Sequence, residues 1–197
     1  MTSSSRNILP ERAETRDGGM DSLLEELKQA IESAAAGMSD QQMSCHSAEK
    51  WCAAEVLEHL YLTYTGTIKG FERVLTAGKP IVGRASVKQR LRTLVALGFS
   101  HLPNGRKAPK QTVPRGLDSE TVRTEVVQKL EAMDEIIAQC EVRFGHGKVL
   151  DHPILGPLTA AQWRKFHWIH GHHHVKQIVK LREQEREGET IAEPIER

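Results

Sequence analysis

Five of the ten histidines in this chain fall between His167 and His174, in the run His167-Trp-Ile-His170-Gly-His172-His173-His174-Val-Lys-Gln177. On a helix that advances about 100° per residue, His170 and His174 are the pair in this run at i, i+4, which sets their Cβ atoms about 6 Å apart on one face. Two imidazoles so placed reach one metal ion. His167, His173 and Gln177 project within about 60° of His170, whereas His172 points to the far side and is expected in solvent. A structural zinc-type site takes four protein ligands, but a catalytic one takes three and keeps a position for water. His59 is the best third ligand, because it lies with Val56 on the apolar face of a second predicted helix, where an imidazole needs a polar partner. Alone, an HxxxH pair is often a solvent-facing pair, and a lone helix histidine is often a hydrogen-bonded core residue. Together they point to a divalent transition metal held by His59, His170 and His174.

Three neutral imidazoles leave the full charge of such an ion on the site, so a bound water ionises near neutral pH or a thiol binds as thiolate. Glu55, one turn before His59, faces the same way and is a candidate to orient an imidazole or act as a base. With His173 and His167 it completes the set of candidate proton-handling residues. All-imidazole sites suit zinc, nickel, copper and iron; zinc and nickel are the expected occupants. Cys45, Cys52 and Cys140 form no CxxC pair and are odd in number, which fits core-filling free thiols in a reducing, cytoplasmic setting.

The elements that must position these residues are legible from apolar spacing. Lys plus Arg number 27 against 26 Asp plus Glu, a formal net charge of +1, so global electrostatics argue against nucleic acid or an anionic membrane as partner and leave a small molecule. No run approaches the roughly 20 apolar residues of a membrane span. Residues 1–19 are polar and read as a flexible tail, 20–187 as one domain, and 188–197 as a C-terminal tail. A first helix starts at Ser22 with a Ser22-x-x-Glu25 capping box and carries Leu23, Leu24, Leu27, Ile31 and Ala34 to near Gly37. A second covers Ala53 to Leu75 and stops at Gly78 and Pro80. A connection of about forty residues follows, too long for a structureless loop, with a short amphipathic helix over Val87 to Leu97 and a basic stretch, Pro103 to Arg115. A third helix starts at an Asp118 N-cap and runs through Cys140. After a Gly- and Pro-rich loop, Phe144 to Leu158, the capping box Thr159-x-x-Gln162 opens a fourth helix that runs to about Glu187. No segment reads as a strand. The expected fold is all-α, a four-helix bundle with a long crossover between its second and third helices.

Trp51-x-x-x-Glu55-Val-x-x-His59-Leu60, followed by His170-Gly-x-His173-His174-x-x-Gln177, resembles the DinB-like superfamily of metal-binding four-helix bundles over about residues 20 to 185. The phrase His152-Pro-x-x-Gly156-x-Leu158-Thr159-x-x-Gln162-Trp163 is similar to uncharacterised bacterial members, and Lys107-Ala-Pro109 is a weaker element of the same likeness. The resemblance implies an up-down-down-up bundle with metal ligands at His59, His170 and His174, and in many members a homodimer. It implies low-molecular-weight thiol transfer, as in relatives that use bacillithiol or mycothiol and in a thiol-dependent maleylpyruvate isomerase, or metal-dependent hydrolysis. A metal-binding stress-response module without turnover is the third reading. Gln177 departs from the pattern, since several relatives carry another histidine there. For an acidic thiol cofactor, Arg106, Lys107, Lys110 and Arg115 would supply charge if the crossover folds over the site.

Overall fold

The computed structural model describes residues 19–46, 50–100 and 107–192, with side chains as far as 184. Apart from Gly19, the expected N-terminal tail lies outside the described residues, as do Arg106 and the last part of the expected C-terminal tail, 193–197. The described chain is predominantly helical.

Helix α1 spans Ser22–Ala35, and its N-cap is Asp21, whose side chain accepts from the Leu23 amide, instead of the expected Ser22. A carboxylate at this position also meets the positive end of the helix dipole. A short α2, Asp40–Ser44, is opened by a Ser39/Gln42 capping box; five residues are too few for apolar periodicity to reveal it. Helix α3, Ala53–Ala77, ends at Gly78 with φ of +65°, the left-handed cap that glycine adopts without penalty. Helix α5, Ser119–Phe144, is capped by Asp118 through the Thr121 amide. In α6, Ala160–Ala192, the Thr159 and Gln162 side chains each accept from the other's amide, the reciprocal box that the sequence spells. Its backbone stays helical beyond Glu187.

The connection between α3 and α5 contains α4, Val87–Thr93, continued by a π turn, Leu94–Gly98, and later a 3-10 turn, Lys110–Thr112. The apolar stripe of this expected amphipathic helix faces mostly outward. Val87, Leu91 and Leu94 are exposed and only Ala96 and Leu97 reach the core.

Among the described residues, the segment expected as loop between the last two helices holds a two-stranded sheet, which Ile81 joins by an isolated bridge to Leu150. Strands β1, Lys148–His152, and β2, Gly156–Thr159, pair antiparallel, and Val149, Leu150 and Leu158 are buried from them. Two strands of four or five residues lie below the length at which alternation can be told from loop.

Helix α3 packs along α5 and α1 along α6, and α6 also touches α3 and α5. Leu24, Leu27, Leu57, Tyr64, Leu130 and Ile137 are fully enclosed between them. The α1–α6 seam is tight where the ligand-bearing part of α6 begins: a Cβ at Gly171 would lie 2.5 Å from the Leu27 side chain. Gly171→Val is therefore expected to cost about 1–3 kcal/mol by overpacking, read as a lower urea midpoint. An unchanged midpoint would show that the two helices separate freely. Among the described residues, no helix is long and apolar enough to cross a membrane.

Candidate metal centre

His59 lies in the second turn of α3 and His170 and His174 lie on one face of α6, so the packing of two helices assembles the group. The Nε2 of His170 is 3.1 Å from that of His174 and 3.4 Å from that of His59. All three donor atoms lie within 4.8 Å of one another. Two nitrogens bound at about 2.05 Å to one tetrahedral ion stand about 3.3 Å apart, so the two spacings around His170 are compatible with a shared ion.

The outer nitrogens say which lone pairs face inward. His59 Nδ1 donates to the Thr112 carbonyl at 2.7 Å, and His174 Nδ1 donates to Gln177 Oε1 at 2.8 Å. Both rings therefore carry their proton on Nδ1 and turn an Nε2 lone pair toward His170. A proton on His170 Nε2 could satisfy one of them and not both. His170 Nδ1 is buried without a partner. Lone pairs converging in a dry place repel unless a cation sits among them, so the donor set fits a divalent ion.

Charge points the same way. Burial pushes His59 below its ordinary value against the Thr112 hydrogen bond, and burial, then the neighbouring His59, brings His174 down to about 3. His170 is held well below the usual imidazole range by burial and then by His174 and His59. All three are neutral at neutral pH, the form in which an imidazole can take a metal ion.

The site has an outer layer that sequence periodicity does not show. Glu58, next to His59 and buried, accepts from the amides of Arg115, Gly116 and Leu117 at 2.7, 2.9 and 3.1 Å. It thereby pins the end of the crossover onto α3 and sets the Thr112 carbonyl on His59. A carboxylate inside an apolar helical run is itself a signal, because it is almost never buried unpaired. Its partners, 57 to 59 residues away, leave no local trace. Glu58→Ala is expected to weaken metal affinity about 10–100-fold, as loss of a ligand-orienting partner does, measured by competition with a chelating dye. Unchanged affinity would show that Thr112 is held by other means.

The remaining sequence candidates divide. His173 does stand beside the triad, its ring 5.2 Å from that of His174, and its Nε2 accepts from Gln177 Nε2 at 3.3 Å. Gln177 thus bridges His173 and His174 and orients the His174 ring. His167 is fully buried, packed on Trp163, with its Nε2 taken by Thr67 Oγ1 at 3.1 Å, and it serves the core. Glu55 does not act at the triad: its carboxylate accepts from the Cys52 amide at 2.9 Å and pairs with His46 at 3.0 Å. It stands at the third position of α3, where a side chain reaches back to cap the helix, and this overrides the face it shares with His59. His172, expected in solvent, is half-buried against α1, with Nε2 3.5 Å from Glu26. The crossover does reach the site through Thr112, while Lys107, Lys110 and Arg115 on it are exposed.

Two histidines outside the triad are also buried neutral. Burial lowers His152 to about 4, and burial followed by His152 lowers His167 to about 3. Unfolded, each titrates near 6.5, so below that pH the unfolded chain binds more protons. Their contribution is complete above the unfolded value and is lost as pH falls toward the folded ones, by up to about 1.4 kcal/mol per pH unit per group. The urea midpoint of metal-free protein should drop clearly between pH 7 and 5; a flat profile would contradict the neutral buried histidines.

No curated protein and no solved structure matches this chain. A protein family does match, over residues 19–181, well beyond half of the sequence: the chain belongs to the family described as protein of unknown function DUF1569.

Proposed function

We propose that the protein is a metal-dependent enzyme of the DinB-like type, its four long helices forming an up-down-down-up bundle and its His59, His170 and His174 holding zinc or nickel for low-molecular-weight thiol transfer. The observation that carries the reading is the convergence of three buried or half-buried Nε2 atoms, with those of His59 and His174 turning lone pairs toward His170 at 3.4 and 3.1 Å. A divalent ion on three neutral ligands keeps its charge and stabilises the thiolate form of a thiol or the hydroxide form of water.

The protein's own groups favour the thiol. Hydrolysis calls for a base near the water, and Glu55, the carboxylate the sequence offers for it, is engaged at the start of α3. A thiol loses its proton more readily and needs less help. Exposed Lys107, Lys110 and Arg115 lie on the segment that carries Thr112 and supply positive charge for an acidic thiol cofactor. His173, half-buried and tied to His174 through Gln177, is the residue placed to exchange a proton at the rim.

The test is an assay of zinc- and nickel-loaded protein with bacillithiol, mycothiol and glutathione against the electrophile monochlorobimane, with ester hydrolysis measured in parallel. Turnover above background with at least one thiol, lost in His170→Ala, is expected. Hydrolysis without thiol transfer would move the assignment to a hydrolase, and metal binding with neither activity to a non-catalytic module.

A further inference from the structure

A second set of donor atoms converges about two turns before His59, at the start of α3. His46 Nε2 lies 3.0 Å from the Glu55 carboxylate, which also accepts from the Cys52 amide at 2.9 Å. The donor atoms of His46, Cys52 and Glu55 all fall within 4.8 Å of one another. Capping engages both side chains, Glu55 on the Cys52 amide and Cys52 on the Glu55 amide, but it does not account for a thiol at this position. Serine, threonine, aspartate and asparagine are the residues favoured at an N-cap, and a thiol is a weak acceptor there. Cys52 is nonetheless the N-cap residue, only 3% exposed, with an imidazole and a carboxylate against it. His46 comes from beyond the end of α2, so the cluster joins two elements.

We infer that His46, Cys52 and Glu55 form a second metal site, independent of the histidine triad, that takes a zinc-class ion through one sulfur, one imidazole nitrogen and one carboxylate oxygen. Thiolate and carboxylate together cancel the charge of a divalent ion, so this site binds the metal without strongly acidifying a bound water, unlike the triad. Its consequence is positional. Trp51, adjacent to Cys52 in the chain, has its ring 5.1 Å from that of His59. An ion tying His46 to Cys52 and Glu55 would fix the aromatic ring that covers one triad ligand.

Cobalt(II) separates the two sites, because thiolate coordination produces an intense near-ultraviolet charge-transfer band and an all-imidazole site produces none. Chelator-stripped full-length protein titrated with cobalt should show the band in the wild type and in His170→Ala. The band should vanish in Cys52→Ser, weaken in His46→Ala and persist in Cys45→Ser. Bound zinc should fall from about two ions per chain to about one in either Cys52→Ser or His170→Ala, one for each set of ligands. Serine is a favoured N-cap, so Cys52→Ser is expected to stay folded. Absence of the band in the wild type, its survival in Cys52→Ser, or its loss in Cys45→Ser would overturn the assignment. Failure of the triad would show separately, as a zinc count that His170→Ala leaves unchanged.

Discussion

Replacing His170 with alanine is expected to raise the dissociation constant for the triad ion by more than 100-fold, the largest functional effect of any single change in the protein. Loss of a residue that only orients a ligand costs about 10–100-fold, and His170 is proposed as a ligand itself. It is also the ring whose Nε2 stands within 3.4 Å of both other Nε2 atoms, so its removal leaves two nitrogens and no shared centre. Stability should respond in the opposite sense to that of a core histidine. His170 Nδ1 is buried without a partner and its Nε2 can satisfy only one of two facing lone pairs, so the metal-free variant gives up at most one hydrogen bond and the ring packing against Phe166, His59 and His174. Isothermal titration with zinc, paired with melting curves of the metal-free proteins, checks both halves. Lost affinity with a nearly unchanged melting temperature is expected; unchanged affinity would remove His170 from the site.

The largest effect on stability is expected at Arg164, which lies on α6, 2% exposed. Its Nε donates to Asp134 Oδ1 on α5 at 2.6 Å and its Nη1 to Glu141, while Asp134 Oδ2 accepts from the amide of Asp21 at the start of α1 at 2.7 Å. One buried guanidinium thus ties together three helices through the carboxylates of Asp134, Glu141 and, at 3.8 Å, Asp21. Arg164→Ala leaves Asp134 buried without its cation, which costs about 3–5 kcal/mol. For a chain of this size that is a fall of about 6–20 °C in melting temperature. The double variant Arg164→Met/Asp134→Leu removes both charges and should recover a large part of the loss, because paired charges replaced by apolar groups are often close to neutral. Thermal denataturation of both variants tests this, and a shift below about 2 °C for Arg164→Ala would show that the pair is not shielded from solvent.

How far the sequence foretells this arrangement depends on how local each signal is. The long helices were readable because each carries an apolar stripe over many turns, and Asp118 and Thr159 mark their starts with contacts only three residues long. The triad was readable for a related reason: His170 and His174 are spaced for one helical face, and His59 falls among the apolar positions Val56, Leu57 and Leu60 of another helix. What escaped depends on distance or on position within a helix. Glu58 holds amides from the far end of the crossover, and no local pattern announces that. Glu55 shares a face with His59, yet it sits at the third position of its helix, where capping competes with the face. The hairpin at Lys148 to Thr159 is short, and its turn residues resemble those of a loop. Likewise, the stripe of α4 was visible as a stripe, but periodicity does not say which side of a helix meets the core, and Leu91 and Leu94 face outward.

The most direct test of the histidine centre is anomalous diffraction at the zinc edge from crystals grown with zinc. The account predicts a peak about 2.0–2.1 Å from Nε2 of each of His59, His170 and His174, the distance of a zinc–imidazole bond. Density showing these three nitrogens without a metal between them, at saturating zinc, would contradict it.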